Sequence, residues 1–149
     1  MLIGRREEWL GGLTEELRLD FSSLGYILPA DIRVCLNMPA ILPDGSNLTE
    51  KEVRDFLGLC FFQEQTCHVF IQTLCPAKQL SPVLVHELCH AALPGNPAHK
   101  GPFARLAHKL GLVGNLRYST PGEKLQTRIR ELETKVGRCP PLCNKKRYD

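Results

Sequence analysis

His86-Glu87-Leu88-Cys89-His90 is an H-E-x-x-H pattern. On a helix, residues i and i+4 stand one turn apart on the same face, so both imidazoles can reach one metal ion at about 2.0–2.1 Å. Glu87 follows the first histidine by one residue and therefore points beside that ion instead of at it. A base in that position can take a proton from water at the metal. A zinc ion used this way needs a third protein ligand and an open position. His99 is the candidate: it follows the turn signal Pro94-Gly95-Asn96-Pro97 and precedes a helix start at Pro102. His108 is the alternative, although its place mid-helix beside Ala107 suits a solvated or packed role. The metzincin spacing would put the third ligand at Asn96, which is a poor zinc ligand.

The segment that carries the motif is apolar almost all round: Val83, Leu84, Val85, Leu88, Cys89, Ala91, Ala92 and Leu93 surround His86, Glu87 and His90. Such a helix is buried. Each of its polar groups would cost roughly 1–3 kcal/mol if left without a partner. A metal and its water give all three a reason to be there. Ser81 and Pro82 read as the N-cap and first turn, and Pro94-Gly95 as the stop.

Other elements must hold this helix in place. Trp9, Leu10, Leu13, Leu17 and Phe21 recur at helical spacing within 6–24. Ile32, Val34 and Leu36 alternate in a strand over 31–37, and two further strands near 57–63 and 67–73 flank a turn at 64–66. Residues 51–56 fit either a short helix capped by Thr49 or an extended segment. Pro102 opens a helix that Gly111 ends. Thr120-Pro121-Gly122-Glu123 reads as a capping box for a helix over 121–136, with Gly137 as its stop. The expected fold is α+β: a small antiparallel sheet packed against the motif helix, with flanking helices, in a zincin-like arrangement. His68, on the second hairpin strand, reads as structural; Tyr118 and His68 are the candidates for oxyanion support.

The 149 residues fit one domain, placed at 1–137, followed by a basic, loosely ordered tail at 138–149. The net charge of +3 is unevenly spread. Residues 1–94 hold 7 Lys and Arg against 12 Asp and Glu, and residues 95–149 hold 12 against 4. The basic half, with Lys124, Arg128, Arg130, Lys135 and Arg138 and the tail cluster Lys145-Lys146-Arg147, predicts weak, sequence-independent and salt-sensitive DNA contact. Tyr118 and Tyr148 are the only aromatics among these charges, so base stacking would add little. No apolar run reaches the length of a membrane span, and the first residues carry charges where an export signal needs an apolar stretch. Seven cysteines in such a chain read as reduced thiols, which predicts a cytoplasmic protein.

Three stretches together, His86-Glu87-Leu88-Cys89-His90-Ala91, His99-Lys100-Gly101-Pro102-Phe103 and Leu106-Ala107, resemble the SprT-like metallopeptidase family, in which a third zinc histidine is followed four residues later by Phe. The likeness is strongest over 80–112 and points to the short proteins of this kind in bacteriophages and some bacteria, related to the Spartan proteases that cut proteins crosslinked to DNA. It implies a zinc-dependent peptidase with His86, His90 and His99 as ligands and Glu87 as acid/base, acting on a protein or peptide. Many relatives end in a zinc ribbon with two cysteine pairs. Here Cys139 and Cys143 form a single pair, too few for a four-coordinate structural site, so no ribbon is expected. The alternatives are a zinc hydrolase for another substrate and a DNA-associated regulatory zinc-binding protein.

Overall fold

A computed structural model describes residues 5–96 and 98–142. Its elements are α1 (Arg5–Ser23), β1 (Asp31–Cys35), α2 (Glu50–Asp55), β2 (Gly58–Gln63), β3 (Thr66–Ile71), α3 (Ala77–Ala92), α4 (Pro102–Leu110) and α5 (Glu123–Val136). The result is an α+β domain with five helices and one three-stranded sheet among the described residues.

The sheet is mixed, not antiparallel. The strand order is β1-β3-β2. β2 and β3 form the expected hairpin, from Gly58 opposite Ile71 to Gln63 opposite Thr66. β1 pairs with β3 in parallel, from Asp31 opposite Thr66 to Cys35 opposite Phe70. The physical reason lies in β3. Cys67, Val69 and Ile71 are buried on one of its faces and Phe70 on the other. A strand with two covered faces belongs in the middle of a sheet. The second hairpin strand therefore inserts between β1 and β2, and β2 becomes an edge.

The apolar stripe of α1 is buried as its spacing requires: Trp9, Leu10, Leu13, Leu17 and Phe21 all lie in the core. α1 packs against β1, α3 and α5. Gly12 permits the last of these contacts, because a Cβ there would already touch the Val136 side chain at 3.4 Å. The short α2 has the full capping box, with Thr49 Oγ1 accepting from the Glu52 amide and Glu52 Oε1 accepting from the Thr49 amide.

Two helix starts differ from expectation. α3 begins at Ala77 with Pro76 as N-cap, so Ser81 is no cap and Pro82 lies inside the helix. Pro82 removes one helical hydrogen bond near the start. The additional first turn compensates by carrying Leu80 into the core with no exposed surface, a burial worth about 1.5–3 kcal/mol. α5 begins at Glu123 with Gly122 as N-cap and no side-chain cap. Thr120 is drawn into a short pairing instead: its carbonyl accepts from the Val113 amide, and Gly122 donates to the Gly111 carbonyl. Gly111 ends α4 in the left-handed conformation at φ 104°, where a Cβ would lie 2.7 Å from the Leu125 amide nitrogen. Only glycine serves both requirements.

The chain after α5 returns to α1. The Gly137 carbonyl accepts from Trp9 Nε1 at 2.8 Å, and the Pro140 carbonyl accepts from Arg6 Nε at 2.8 Å. Cys139 is partly buried against the core. Cys143, Lys145, Lys146, Arg147 and Tyr148, which the tail reading invoked, lie outside the described residues.

Candidate metal centre

α3 is enclosed by the sheet, α1 and α4. His86 and Glu87 are each only 5% exposed, and His90 is half-buried one turn further on. Helical geometry alone aligns His86 and His90. His99 is brought to them by the chain reversal after α3, where Gly95 takes φ 82°. The three rings then form a nearly equilateral cluster, with centroids 5.0–5.1 Å apart. One nitrogen from each ring lies within 4.8 Å of the other two. His90 Nε2 and His99 Nε2 are 3.2 Å apart. Two ligands on a tetrahedral ion with bonds of about 2.05 Å would be separated by about 3.3 Å, so this pair already has the required spacing. His86 Nδ1 is buried without a hydrogen-bond partner among the described residues. An orphaned nitrogen in a ring that touches two other imidazoles fits a site made for an ion. The residues present could therefore hold a metal through three histidines.

Electrostatics favour the ligating form. Burial, and then the neighbouring histidines, push His86 down to about 3. Burial and then His99 push His90 down to about 4, against an opposing hydrogen bond to the Asn96 backbone. Burial and then the Arg117 charge lower His99. All three imidazoles are thus neutral at pH 7, with lone pairs free for a cation. Phe103 of α4, fully buried, is the platform beneath them, with its ring centroid 5.2, 4.5 and 5.1 Å from those of His86, His90 and His99. The sequence marked it by its place four residues after His99.

Glu87 faces the sheet. Burial, then the nearby Cys67 thiol, push its carboxyl up to about 8. A divalent cation at the adjacent histidines would pull it back toward the charged form. Its seat depends on Gly58, the first residue of β2. A Cβ at Gly58 would lie 2.7 Å from Glu87 Oε2 and 2.9 Å from Val83 Cγ1. This residue was missed in the sequence, although glycine inside a strand is the usual sign of a close approach.

His86, Glu87, His90 and His99 open onto one cleft of about 930 Å³. The edge strand β2, the turn at 93–96 and Arg117-Tyr118-Ser119 form its rim. Tyr118 stands on this rim, 66% exposed. His68 does not line the cleft: it alternates to the other face of β3, stacked on Phe70 with centroids 5.9 Å apart. His108 is exposed on α4, outside the histidine cluster. No helix among the described residues is long and apolar enough to cross a membrane. No protein-family model, curated protein or solved structure matches the chain.

Proposed function

We propose that this chain is a zinc-dependent metallopeptidase of the SprT-like, zincin-like kind. The observation that carries the reading is the meeting of three neutral imidazoles and a buried glutamate in one cleft bordered by the edge strand β2. Zinc held by His86, His90 and His99 would polarise a scissile carbonyl and acidify water in the open position. Glu87 would be the base for that water and the acid for the departing amine. Its seclusion beside Gly58 keeps the carboxylate from bulk water, so its proton affinity is set by the site. The Arg117-Tyr118-Ser119 rim is the place from which the chain can add a donor to the developing oxyanion, and Tyr118 is the phenol available there.

The choice of a peptide as substrate rests on β2. As an edge strand it has one row of backbone N–H and C=O groups unused by the sheet, and it borders the cleft. An extended peptide can pair with such an edge and bring a peptide bond past the metal. The exposed Leu57 and Phe62 add apolar contact along the same border. The proposed setting is cytoplasmic, as reduced thiols require.

Contact with DNA-bound substrates belongs to the same proposal in a reduced form. Arg128 and Lys135 pair with Asp20 and Glu16 of α1, so part of the basic surplus serves the fold. Lys124 bonds the Lys109 carbonyl. The test of the main reading is metal analysis together with cleavage of an unfolded protein such as casein. The expected result is about one zinc per chain and hydrolysis that is lost with a chelator and restored by zinc. A protein with bound zinc that cleaves neither casein nor a DNA-bound protein would favour another hydrolase substrate.

A further inference from the structure

Beneath the cleft wall, two thiols touch. Cys60 Sγ on β2 and Cys67 Sγ on β3 are 3.3 Å apart. The register puts Cys60 opposite Val69 and Cys67 opposite Phe62, so the two cysteines are diagonal neighbours on the sheet face that meets α3. Diagonal side chains in a flat antiparallel pair are too far apart to bridge, and strand twist closes this one to contact. Among the described residues it is the only sulfur–sulfur contact. The two thiols differ in access. Cys60 lines the cleft, whereas Cys67 has no exposed surface.

We propose that Cys60 and Cys67 form an oxidisable dithiol, with Cys60 reacting first with a small-molecule disulfide that enters through the cleft and Cys67 resolving the adduct. The expected reagent class is the glutathione disulfide type, a small disulfide, because Cys60 is half-buried in the wall of a cleft of about 930 Å³ and Cys67 has no exposed surface. In the first exchange the Cys60 sulfur loses its proton and bonds one glutathione sulfur. The glutathione S–S bond breaks, and the departing sulfur takes up a proton. In the second, the Cys67 sulfur attacks Cys60 and releases the second glutathione, which leaves with the Cys67 proton. Two protein thiols are oxidised by two electrons and one glutathione disulfide is reduced to two thiols. The bond brings the sulfurs to about 2.05 Å and crosslinks the edge strand to the central strand. The Cys60 thiol is held well above its ordinary range by its hydrogen bond to Cys67 and by burial beside Glu87. Exchange is therefore slow, and the pair stays reduced through brief exposure.

The test uses the full chain as purified, equilibrated under native conditions with mixtures of reduced and oxidised glutathione. The samples are acid-quenched, unfolded, alkylated, digested without reductant and weighed by mass spectrometry. The expected product is a Cys60–Cys67 link two hydrogens lighter than the dithiol, while Cys35, Cys75 and Cys89 are alkylated. In Cys67→Ser the glutathione adduct should accumulate on Cys60. In Cys60→Ser, Cys67 should stay unmodified until unfolding. Recovery of both cysteines fully alkylated from the wild-type chain after prolonged oxidation would overturn the proposal. So would a stable glutathione adduct on wild-type Cys60. The readout is a mass, independent of hydrolysis, so this result stands whatever becomes of the peptidase reading.

Discussion

α3 and α5 use polar residues in opposite ways. In α3, His86 and Glu87 are almost fully enclosed by apolar side chains, and His86 has a nitrogen that nothing in the described chain satisfies. In α5, Arg128 and Lys135 have protein partners at the surface. Arg128 holds both oxygens of Asp20 at 2.8 and 2.9 Å, and Lys135 meets Glu16 at 3.6 Å. Charges that satisfy one another fasten a helix to its neighbour. Buried groups that cannot do so need something from outside the chain.

The sharpest way to break this distinction is to remove the ligands. His86→Ala and His90→Ala should each abolish zinc binding, and His99→Ala should weaken it strongly, as measured by metal analysis after dialysis. His108→Ala should leave the stoichiometry unchanged. Loss of metal in His108→Ala with retention in His99→Ala would reverse the assignment of the third ligand.

Glu87→Gln comes next. The amide keeps the shape and removes the base, so zinc should remain while turnover falls by about 10²–10⁴-fold. Equal turnover in the variant would move the proton transfer to another group.

Gly58→Ala tests the seat of Glu87 from the sheet side. The added methyl overlaps the carboxylate, and β2 is fixed by its pairing with β3. Overpacking of this kind costs about 1–3 kcal/mol, visible in denaturant unfolding. The histidines are untouched, so metal content should stay constant while hydrolysis drops. A variant with wild-type stability and rate would show that Glu87 has slack.

The smallest effect belongs to the scaffold helix. Arg128→Ala should destabilise by about 1 kcal/mol, less at high salt, with zinc content and hydrolysis per folded molecule unchanged. A loss of metal in this variant would mean that the two regions are coupled.

What the sequence made legible follows the range of the interaction. The stripe of α1, the bounds of α4 at Pro102 and Gly111, and the alignment of His86 with His90 are local, and periodicity reveals them. The turn at Pro94-Gly95 also pointed to His99. The partner of β1 is not local: the alternation of Ile32 and Val34 says which face is covered but not which strand lies alongside. The early start of α3 escaped because Leu80 outweighs an internal proline only once the core is known. The late start of α5 escaped because the Thr120 backbone is claimed by Val113, a contact no capping pattern encodes. Gly58 could have been read as a close approach, but Glu87 as the neighbour required the fold.

The insertion of β3 between β1 and β2 sets an order of assembly. The hairpin closes through a two-residue turn, Glu64-Gln65, with Glu64 at φ 55°. The parallel partner must come from across a long intervening segment that includes α2. Closing that large loop costs more chain entropy than closing the hairpin. Refolding should therefore protect the amides between β2 and β3 before those between β1 and β3. Seating of Glu87 against Gly58 can accompany the early hairpin, ahead of full sheet closure.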